Sequence, residues 1–429
     1  MNITAITLGC KVNQYESQAM LAAMERAGFH VDAGPADVVL INSCTVTAQS
    51  DHKVRQALRR ARRENPGAVL VLTGCMPQAF PEAAGAMQEA DIVLGNSDRL
   101  ALPGYVEQFL KTHERIVAIS PHKAQFEPME VHTFHDRTRA FVKIEDGCNR
   151  FCSYCIIPYA RGRVRSKPLS DLQAELSALG ENGYREVVLT GINLPAYGED
   201  LGLTLCDAVE AACAVPGIAR VRLGSLEPEQ LEEDVVRRLA RQEKLCPQFH
   251  LALQSGCDRT LSRMNRHYDT ALYREIAQRL RAAFPNAALT TDLMVGFPGE
   301  TEEDFAESLA FVEEIAFAKV HVFAYSRRPG TRADTFPNQV PKAEKERRSA
   351  AVIAAAARTR RAFLKAQCGL TEEVLFEQQK RPGLWEGYTP NYTPVYVKSE
   401  APLSGALRKV HLSALDEGGD ACRGEFVER

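Results

Sequence analysis

Short runs of apolar and β-branched residues alternate with amphipathic stretches along the first hundred residues of the chain. The runs are typical of buried strands, and the stretches between them have helical periodicity. The expected strands are Ile3–Leu8, Val38–Asn42, Val69–Thr73 and Ile92–Leu94, and the expected helices lie near Gln14–Ala27, Gln49–Arg63 and Pro77–Gln88. This alternation predicts a parallel α/β sheet domain over residues 1–105. A shorter helix and a strand near Ile116–Ile119 follow in a predicted linker, residues 106–133.

The alternation of strands and helices resumes in a second segment, residues 134–366. The expected strands are Ala140–Glu145, Glu186–Thr190, Arg220–Gly224, Phe249–Leu253, Leu289–Met294 and Val320–Tyr325. Successive βα units predict a full or partial parallel barrel, here (βα)6, and a long helix from about Ala343 to Ala366 closes the segment. Residues 367–429 contain only short β-type runs broken by Gly and Pro, which predict a small antiparallel β-barrel. The fold class is therefore multidomain α/β.

Composition narrows the class of protein. The 429 residues are 45% hydrophobic and 25% charged with a net charge of −3, which excludes wholesale disorder. No apolar run approaches the roughly 18 to 20 residues that span a bilayer, and the amino terminus lacks a basic signal region, so we expect a cytoplasmic protein without membrane contact. Twelve cysteines are too sparse for a disulfide scaffold and indicate metal binding or catalysis.

Cys148, Cys152 and Cys155 form a Cys-x3-Cys-x2-Cys loop directly after the first expected barrel strand. Three thiolates can hold three corners of a four-iron cluster and leave one iron open to a substrate or cofactor, because such clusters normally take four ligands. The alternative is a zinc knuckle that recruits a distant fourth ligand such as a His.

Cys10, Cys44 and Cys75 each follow an expected strand of the N-terminal domain. Their separations match βα units, so a parallel sheet would bring all three to the same carboxyl edge, where such sheets bind ligands. The spacing predicts a second cluster there. The alternative is that these residues are three buried structural cysteines.

Motifs along essentially the whole chain share a family pattern. They are Thr7–Ser17, Asn42–Thr47, Thr73–Cys75, Val142–Arg165, Leu189–Ile192, Leu223–Pro228, His250–Gly256 and Asp292–Glu300. These motifs, in this domain order, resemble the radical S-adenosylmethionine (SAM) methylthiotransferases, with a C-terminal TRAM domain. The segment Thr7–Ser17 is most similar to the branch that modifies N6-threonylcarbamoyladenosine at position 37 of tRNA.

The resemblance implies two [4Fe-4S] clusters and SAM as cofactors. Cys148, Cys152 and Cys155 would hold the cluster that cleaves SAM reductively to a 5′-deoxyadenosyl radical. Cys10, Cys44 and Cys75 would hold an auxiliary cluster that delivers sulfur. Polar groups and glycines at the strand ends are expected to bind SAM. These residues are Tyr154, Thr190, Gly191, Ser225, Glu227, Gln254, Ser255, Asp292 and Met294.

The expected reaction is methylthiolation at C2 of the modified adenosine, with an anticodon stem-loop and an electron donor such as flavodoxin or ferredoxin as partners. Basic and aromatic residues suit RNA phosphates and unstacked bases. The candidates are Arg161, Arg163, Lys380, Arg381, Tyr388 and Tyr392. Further basic groups lie on the helix with Lys53 and Arg63, after the sixth barrel strand and along the bridging helix. The alternatives are the same chemistry on isopentenyladenosine or on ribosomal protein S12, and a non-catalytic iron–sulfur RNA-binding or electron-transfer protein.

Overall fold

Buried β-branched strands build a parallel sheet at the amino terminus of the computed structural model, which describes residues 1–32, 34–134 and 138–427. Its elements are β1 (Asn2–Thr7), α1 (Lys11–Arg26), β2 (His30–Val31), β3 (Val38–Ser43), α2 (Ala48–Glu64), β4 (Val69–Gly74), α3 (Cys75–Ala79), α4 (Pro81–Gly85), β5 (Ile92–Leu94), α5 (Leu102–Thr112) and β6 (Ile116–Ala118). The strand order is β2-β1-β3-β4-β5-β6, and every pair is parallel.

Two boundaries in this domain differ from the sequence prediction. Strand β6 pairs with β5, so the sheet continues past residue 105, and α5 and β6 belong to it rather than to a linker. The single helix expected near Pro77–Gln88 is two short helices, because the chain leaves helical geometry at Phe80 and Pro81 starts a new turn.

The central segment is an open barrel of parallel strands. Its elements are β7 (Arg139–Lys143), β8 (Glu145–Asp146), α6 (Ile157–Arg161), β9 (Arg165–Ser166), α7 (Leu169–Glu181), β10 (Glu186–Thr190), α8 (Leu205–Ala214), β11 (Arg220–Leu223), β12 (Ser225–Leu226), α9 (Glu233–Ala240), β13 (Gln248–Leu251), α10 (Asp258–Arg263), α11 (Thr270–Ala283), β14 (Ala288–Val295), α12 (Glu302–Ile315), β15 (Lys319–Ala324) and α13 (Lys342–Gln367). The strands run β7-β10-β11 and, after a break at Gly224, β12-β13-β14-β15. The two edges of the barrel are therefore β7 and β15.

The C-terminal segment is a closed antiparallel barrel, with one parallel contact between β18 and β20. Its strands are β16 (Thr371–Arg381), β17 (Leu384–Tyr388), β18 (Pro394–Lys398), β19 (Leu407–Leu415) and β20 (Cys422–Phe426). The predicted fold class is confirmed, although β20 was not expected. Trp385 is buried in the core of this barrel and presents no open surface for a base.

The N-terminal sheet and the barrel share a hydrophobic core. Tyr15 and Ala19 of α1 belong to the same buried cluster as barrel residues such as Val142 and Leu172. The Tyr15 hydroxyl also donates to the backbone carbonyl of Met129 at 2.7 Å. The docking of the two domains is therefore fixed by packing along α1.

Candidate iron–sulfur and cofactor sites

The structure brings Cys10, Cys44 and Cys75 to the carboxyl edge of the N-terminal sheet. Cys10 directly precedes α1, Cys44 follows β3, and Cys75 begins α3 after β4. The strands before them, β1, β3 and β4, are neighbours in the sheet. Gly9 has a φ of +120°, and a Cβ added to it would lie 2.9 Å from the Cβ of Cys44, so the first two loops are in contact.

The loop that carries Cys148, Cys152 and Cys155 closes on the segment after α6. Gly147 has a φ of +93°, and a Cβ there would lie 2.0 Å from the carbonyl oxygen of Arg163. The Cys148 amide donates to the carbonyl of Gly162 at 3.0 Å, and the Cys155 amide donates to that of Cys152 at 3.0 Å. These contacts fold the three half-buried cysteines onto the end of β7.

The thiols are held in surroundings that disfavour free thiolates. Burial raises the pKa of Cys75 to about 12 and the pKa of Cys148 to about 12. Cys10 is exposed, and desolvation by the surrounding protein also raises its thiol pKa. A metal that binds these sulfurs must displace their protons.

The cysteine sets differ from a site for a single metal ion. In the described part of the chain, no three His, Cys, Asp or Glu side chains converge on a point that could hold one metal ion. A four-iron cluster attaches each thiolate to a different iron, so it needs a set of cysteines that are close but not convergent. Each set supplies three thiols, the number that a four-iron cluster with one open iron takes from the protein.

Two buried arginines donate to cysteine sulfurs, and neither contact was predicted from the sequence. Arg161 Nε lies 3.2 Å from Cys75 Sγ, and Arg266 Nη1 lies 3.3 Å from Cys152 Sγ. Arg161 is fully buried, so its predicted role as an RNA contact is corrected. Its neighbours Arg165 and Lys167 are buried as well. Nothing in the sequence spacing distinguishes Arg266, because it lies far downstream of the cysteine loop.

Unpaired polar atoms line the ends of the first barrel strands. Glu145 Oε2 accepts from the backbone amides of Ile192 and Asn193 at 2.7 Å each, directly after the predicted Thr190 and Gly191. A Cβ on Gly191 would lie 2.6 Å from the same oxygen, so only glycine fits. Glu145 Oε1 and Asn193 Oδ1 are buried and have no hydrogen-bond partner within the described residues. Burial also raises the pKa of Glu145 well above its usual range.

Gln254, after the fourth barrel strand, also has a buried polar atom without a partner. Its φ is +63°, and its Oε1 is buried without a partner among the residues described. Buried polar atoms are nearly always paired, so unpaired ones at strand ends indicate a polar ligand. Glu145, Asn193 and Gln254 therefore fit the amino-acid and ribose groups of SAM. Glu145 and Asn193 were missed because single polar residues in a strand and a turn carry no spacing signal.

The other residues predicted to bind SAM lie in different surroundings. Ser255 is corrected: its hydroxyl contacts that of Ser308 on α12 at 3.1 Å, so it faces an outer helix. Met294 packs in a buried cluster, and Tyr154 lies against that cluster with its ring 6.4 Å from Phe297. Glu227 directly follows β12 and is paired with Arg266, and Ser225 begins β12 and is exposed. Asp292 lies within β14, 3.4 Å from His250.

The predicted RNA contacts divide into open and enclosed residues. Arg163, Lys380 and Arg381 are exposed. Tyr388 and Tyr392 are stacked at 4.7 Å between ring centroids, and their rings lie under barrel arginines that contact Tyr392 at 4.6 and 4.8 Å. The two tyrosines thus dock the small barrel on the large one, although Tyr392 remains 37% exposed and Tyr388 is half-buried.

Comparison with known proteins agrees with this geometry. Residues 142–312 match the Radical SAM superfamily, and residues 2–95 match a family described as Uncharacterized protein family UPF0004. The structure of the radical SAM methyltransferase TsrM from Kitasatospora setae has a TM-score of 0.58 at 15% identity, covering 99% of this chain and 87% of that one. With a three-cysteine loop after the first barrel strand, the fold and site define a radical SAM enzyme.

Relatives of known function narrow the class of radical SAM enzyme to which the chain belongs. Threonylcarbamoyladenosine tRNA methylthiotransferase MtaB of Thermotoga maritima is 37% identical over 427 residues, which are 98% of this chain and 97% of that protein. tRNA-2-methylthio-N(6)-dimethylallyladenosine synthase of Clostridium botulinum is 35% identical over 382 residues, 86% of this chain and 85% of that protein. The chain belongs to the MtaB family of radical SAM tRNA methylthiotransferases.

The family resemblance drawn from the sequence is thereby confirmed. The cofactors of the family are SAM and two [4Fe-4S] clusters, and its substrate is tRNA. Within residues 1–32, 34–134 and 138–427, no helix has the length and apolar character needed to cross a membrane.

Proposed function

We propose that this enzyme methylthiolates C2 of N6-threonylcarbamoyladenosine-37 in the anticodon stem-loop of tRNA, with electrons from a flavodoxin or ferredoxin. Cys148, Cys152 and Cys155 hold the radical cluster, and Cys10, Cys44 and Cys75 hold the auxiliary cluster. The bound clusters and SAM supply the radical activation of an unreactive C–H bond and the sulfur. The chain's own residues bind and orient the substrate between the two sets.

Sequence identity alone does not choose the nucleoside. The relative that is named for threonylcarbamoyladenosine and the relative that is named for dimethylallyladenosine are 37% and 35% identical to this chain. The choice must come from side chains that meet the group on N6 of the base. The threonylcarbamoyl group carries a carboxylate, whereas the dimethylallyl group is a hydrocarbon.

The observation that carries the proposal is the position of Lys11. This residue follows Cys10 at the start of α1, and it is exposed. The pKa of Lys11 is lowered to about 8, mainly by desolvation and further by the positive charges of Arg222 and Arg139. Burial lowers the pKa of His321 on β15, and the charge of Lys11 contributes to this shift. Lys11 is thus the residue next to a proposed auxiliary-cluster ligand, and the charges of Arg222 and Arg139 act on its ammonium group.

The groups around Lys11 are cationic. Val221 and Leu223 face the outer helices, so Arg222 between them faces the interior. Arg222 Nε and Arg139 Nη1 both pair with Glu186, at 2.9 and 3.7 Å. Arg222 Nη2 is buried and makes no hydrogen bond to any described residue. A carboxylate could accept from Lys11 and from Arg222 Nη2, whereas a hydrocarbon could accept from neither.

The test compares Lys11→Met with Lys11→Arg on stem-loops that carry either nucleoside. A hydrogen bond to a charged group contributes about 1.5–3 kcal/mol, so we expect Lys11→Met to lower kcat/KM for the threonylcarbamoyl substrate by roughly 10- to 100-fold. Lys11→Arg should retain most of it. Mass spectrometry of the nucleosides measures the product, and 5′-deoxyadenosine formation checks that SAM is still cleaved. Equal wild-type turnover of the dimethylallyl stem-loop would contradict the proposal.

A further inference from the structure

Arg161 connects the two cysteine sets. It is the last residue of α6, and this helix begins two residues after Cys155. Its side chain is fully buried, and Nε donates to Cys75 Sγ at 3.2 Å. One turn of helix in the barrel domain thus joins the radical-cluster loop to a ligand of the other domain.

The contact of Arg161 also extends to the first cysteine of the N-terminal set. Arg161 Nη2 donates to Asn13 Oδ1 at 3.3 Å. The same oxygen accepts from the thiol of Cys10 at 3.2 Å. The guanidinium group therefore lies against Cys75 directly and against Cys10 through one amide.

Carboxylates fix the orientation of the guanidinium group. Arg161 Nη2 donates to Glu16 Oε2 at 3.0 Å, Nη1 also pairs with Glu16, and Nη1 lies 3.4 Å from Asp146 Oδ1. Asp146 precedes Gly147 and Cys148 in the chain. The planar fork of an arginine can hold a carboxylate on one side and a sulfur on the other, which a lysine ammonium on a flexible stem cannot reproduce.

We infer that Arg161 is a positioning residue for the auxiliary cluster, which it holds in register with the radical cluster and whose reduced state it stabilises. This inference rests on the proposed assignment of the two cysteine sets. An N–H donor and a positive charge at a ligand sulfur stabilise the more negative, reduced form of a cluster. The auxiliary cluster should therefore have a higher reduction potential with Arg161 than without it.

Arg99 offers a matched control in the same network. It is buried, it lies 2.5 Å from Glu16 and 3.9 Å from Asp146, and it donates to no sulfur among the described residues. Arg99→Lys changes the ionic contacts of Glu16 but leaves the donor to Cys75. Comparison with Arg161→Lys separates the sulfur contact from the general effect of disturbing a buried ion cluster.

The experiment uses full-length reconstituted protein in which Cys148, Cys152 and Cys155 are Ala, so that only the auxiliary cluster is loaded. An EPR-monitored redox titration should show a tenfold shift of the reduction equilibrium for Arg161→Lys, which is 59 mV for one electron, toward lower potential. Arg99→Lys should leave the potential unchanged. An unchanged potential in Arg161→Lys, or an equal shift in Arg99→Lys, would overturn the inference.

A second measurement needs no substitution of Arg161. Guanidino-¹⁵N-labelled arginine, incorporated into the same cysteine variant, should give a ¹⁵N coupling on the reduced auxiliary cluster in pulsed EPR, because Nε donates to a ligand sulfur. Absence of the coupling on a loaded cluster refutes the contact. Absence of any cluster from the cysteine variant refutes the assignment of the cysteine sets, and this result is visible from the iron content alone.

Discussion

Glu16 is the buried carboxylate on which the contact between the two domains depends. It lies on α1 with no exposed surface and pairs with Arg161, with Arg99 at 2.5 Å and with Lys143 at 2.7 Å. Glu16→Gln keeps the shape of the side chain and removes the charge. The cations then retain Asp146 as their nearest acid. Removing one partner of a buried ion pair destabilises a protein by about 3–5 kcal/mol.

The pKa of Glu16 gives an independent magnitude. Burial alone would raise this pKa, but the charges of Arg161, Arg99 and Lys143 lower it to about 2 from 4.5. At 1.36 kcal/mol per unit the depression corresponds to about 3 kcal/mol. A depressed carboxyl pKa contributes stability that is complete above pH 4.5 and is lost as the pH falls toward 2. The buried ion-pair value and the pKa shift therefore give the same order of magnitude for the loss of stability.

Circular dichroism of the unloaded full chain measures the effect. A loss of about 3–5 kcal/mol should lower the melting temperature of the transition that involves these domains by roughly 10 °C at neutral pH. Acid should also destabilise the wild type more steeply than the variant between about pH 4.5 and 2. Glu64→Gln is the control, since Glu64 forms an exposed pair with Arg60 at 2.8 Å. Exposed pairs contribute less than about 1 kcal/mol. Equal melting of the two variants would refute the reasoning.

Four further outcomes are expected. Replacing Cys148, Cys152 and Cys155 by Ala should remove about half of the bound iron, which iron analysis measures. Replacing Cys10, Cys44 and Cys75 by Ala should preserve SAM cleavage and abolish methylthio transfer, which product assays measure. Melting curves check that both variants are folded. Gly147→Ala should prevent loading of the radical cluster, because its Cβ would meet the Arg163 carbonyl at 2.0 Å, and the iron content of this variant reports it. Lys380→Ala/Arg381→Ala should lower the salt dependence of tRNA binding by about one to two phosphate contacts, measured as the slope of log affinity against log salt, and an unchanged slope would remove both residues from the interface.

The spacing of strands and cysteines along the chain was sufficient to predict the parallel sheet, the barrel and the meeting of Cys10, Cys44 and Cys75 at one edge. These features depend on local periodicity and on the geometry of parallel strands. Strand β20 was missed because Arg423, Gly424 and Glu425 are poor strand formers, and pairing with β18 and β19 stabilises the strand instead.

The function of Arg161 was missed for a different physical reason. The run Arg161, Arg163 and Arg165 has the composition of a solvated basic face. Glu16, which neutralises Arg161, lies 145 residues away in sequence, so no local pattern shows that the arginine is buried. Of the run, only Arg163 is exposed. Long-range charge pairing therefore separates buried Arg161 from exposed Arg163 two residues later, which stays a predicted RNA contact.

A second arginine shows how the N-terminal domain is held across the open side of the barrel. Arg328 follows β15, is buried, and donates to Thr45, directly after Cys44, at 2.7 Å and to Asp51 on α2 at 2.8 Å. Arg161 follows β7 and donates to Cys75. Because β7 and β15 are the two barrel edges, each edge fixes one cysteine loop. Reactive groups misplaced by about 1 Å can lose a hundredfold in rate, so two separate anchors suit an enzyme whose clusters must meet over one substrate atom.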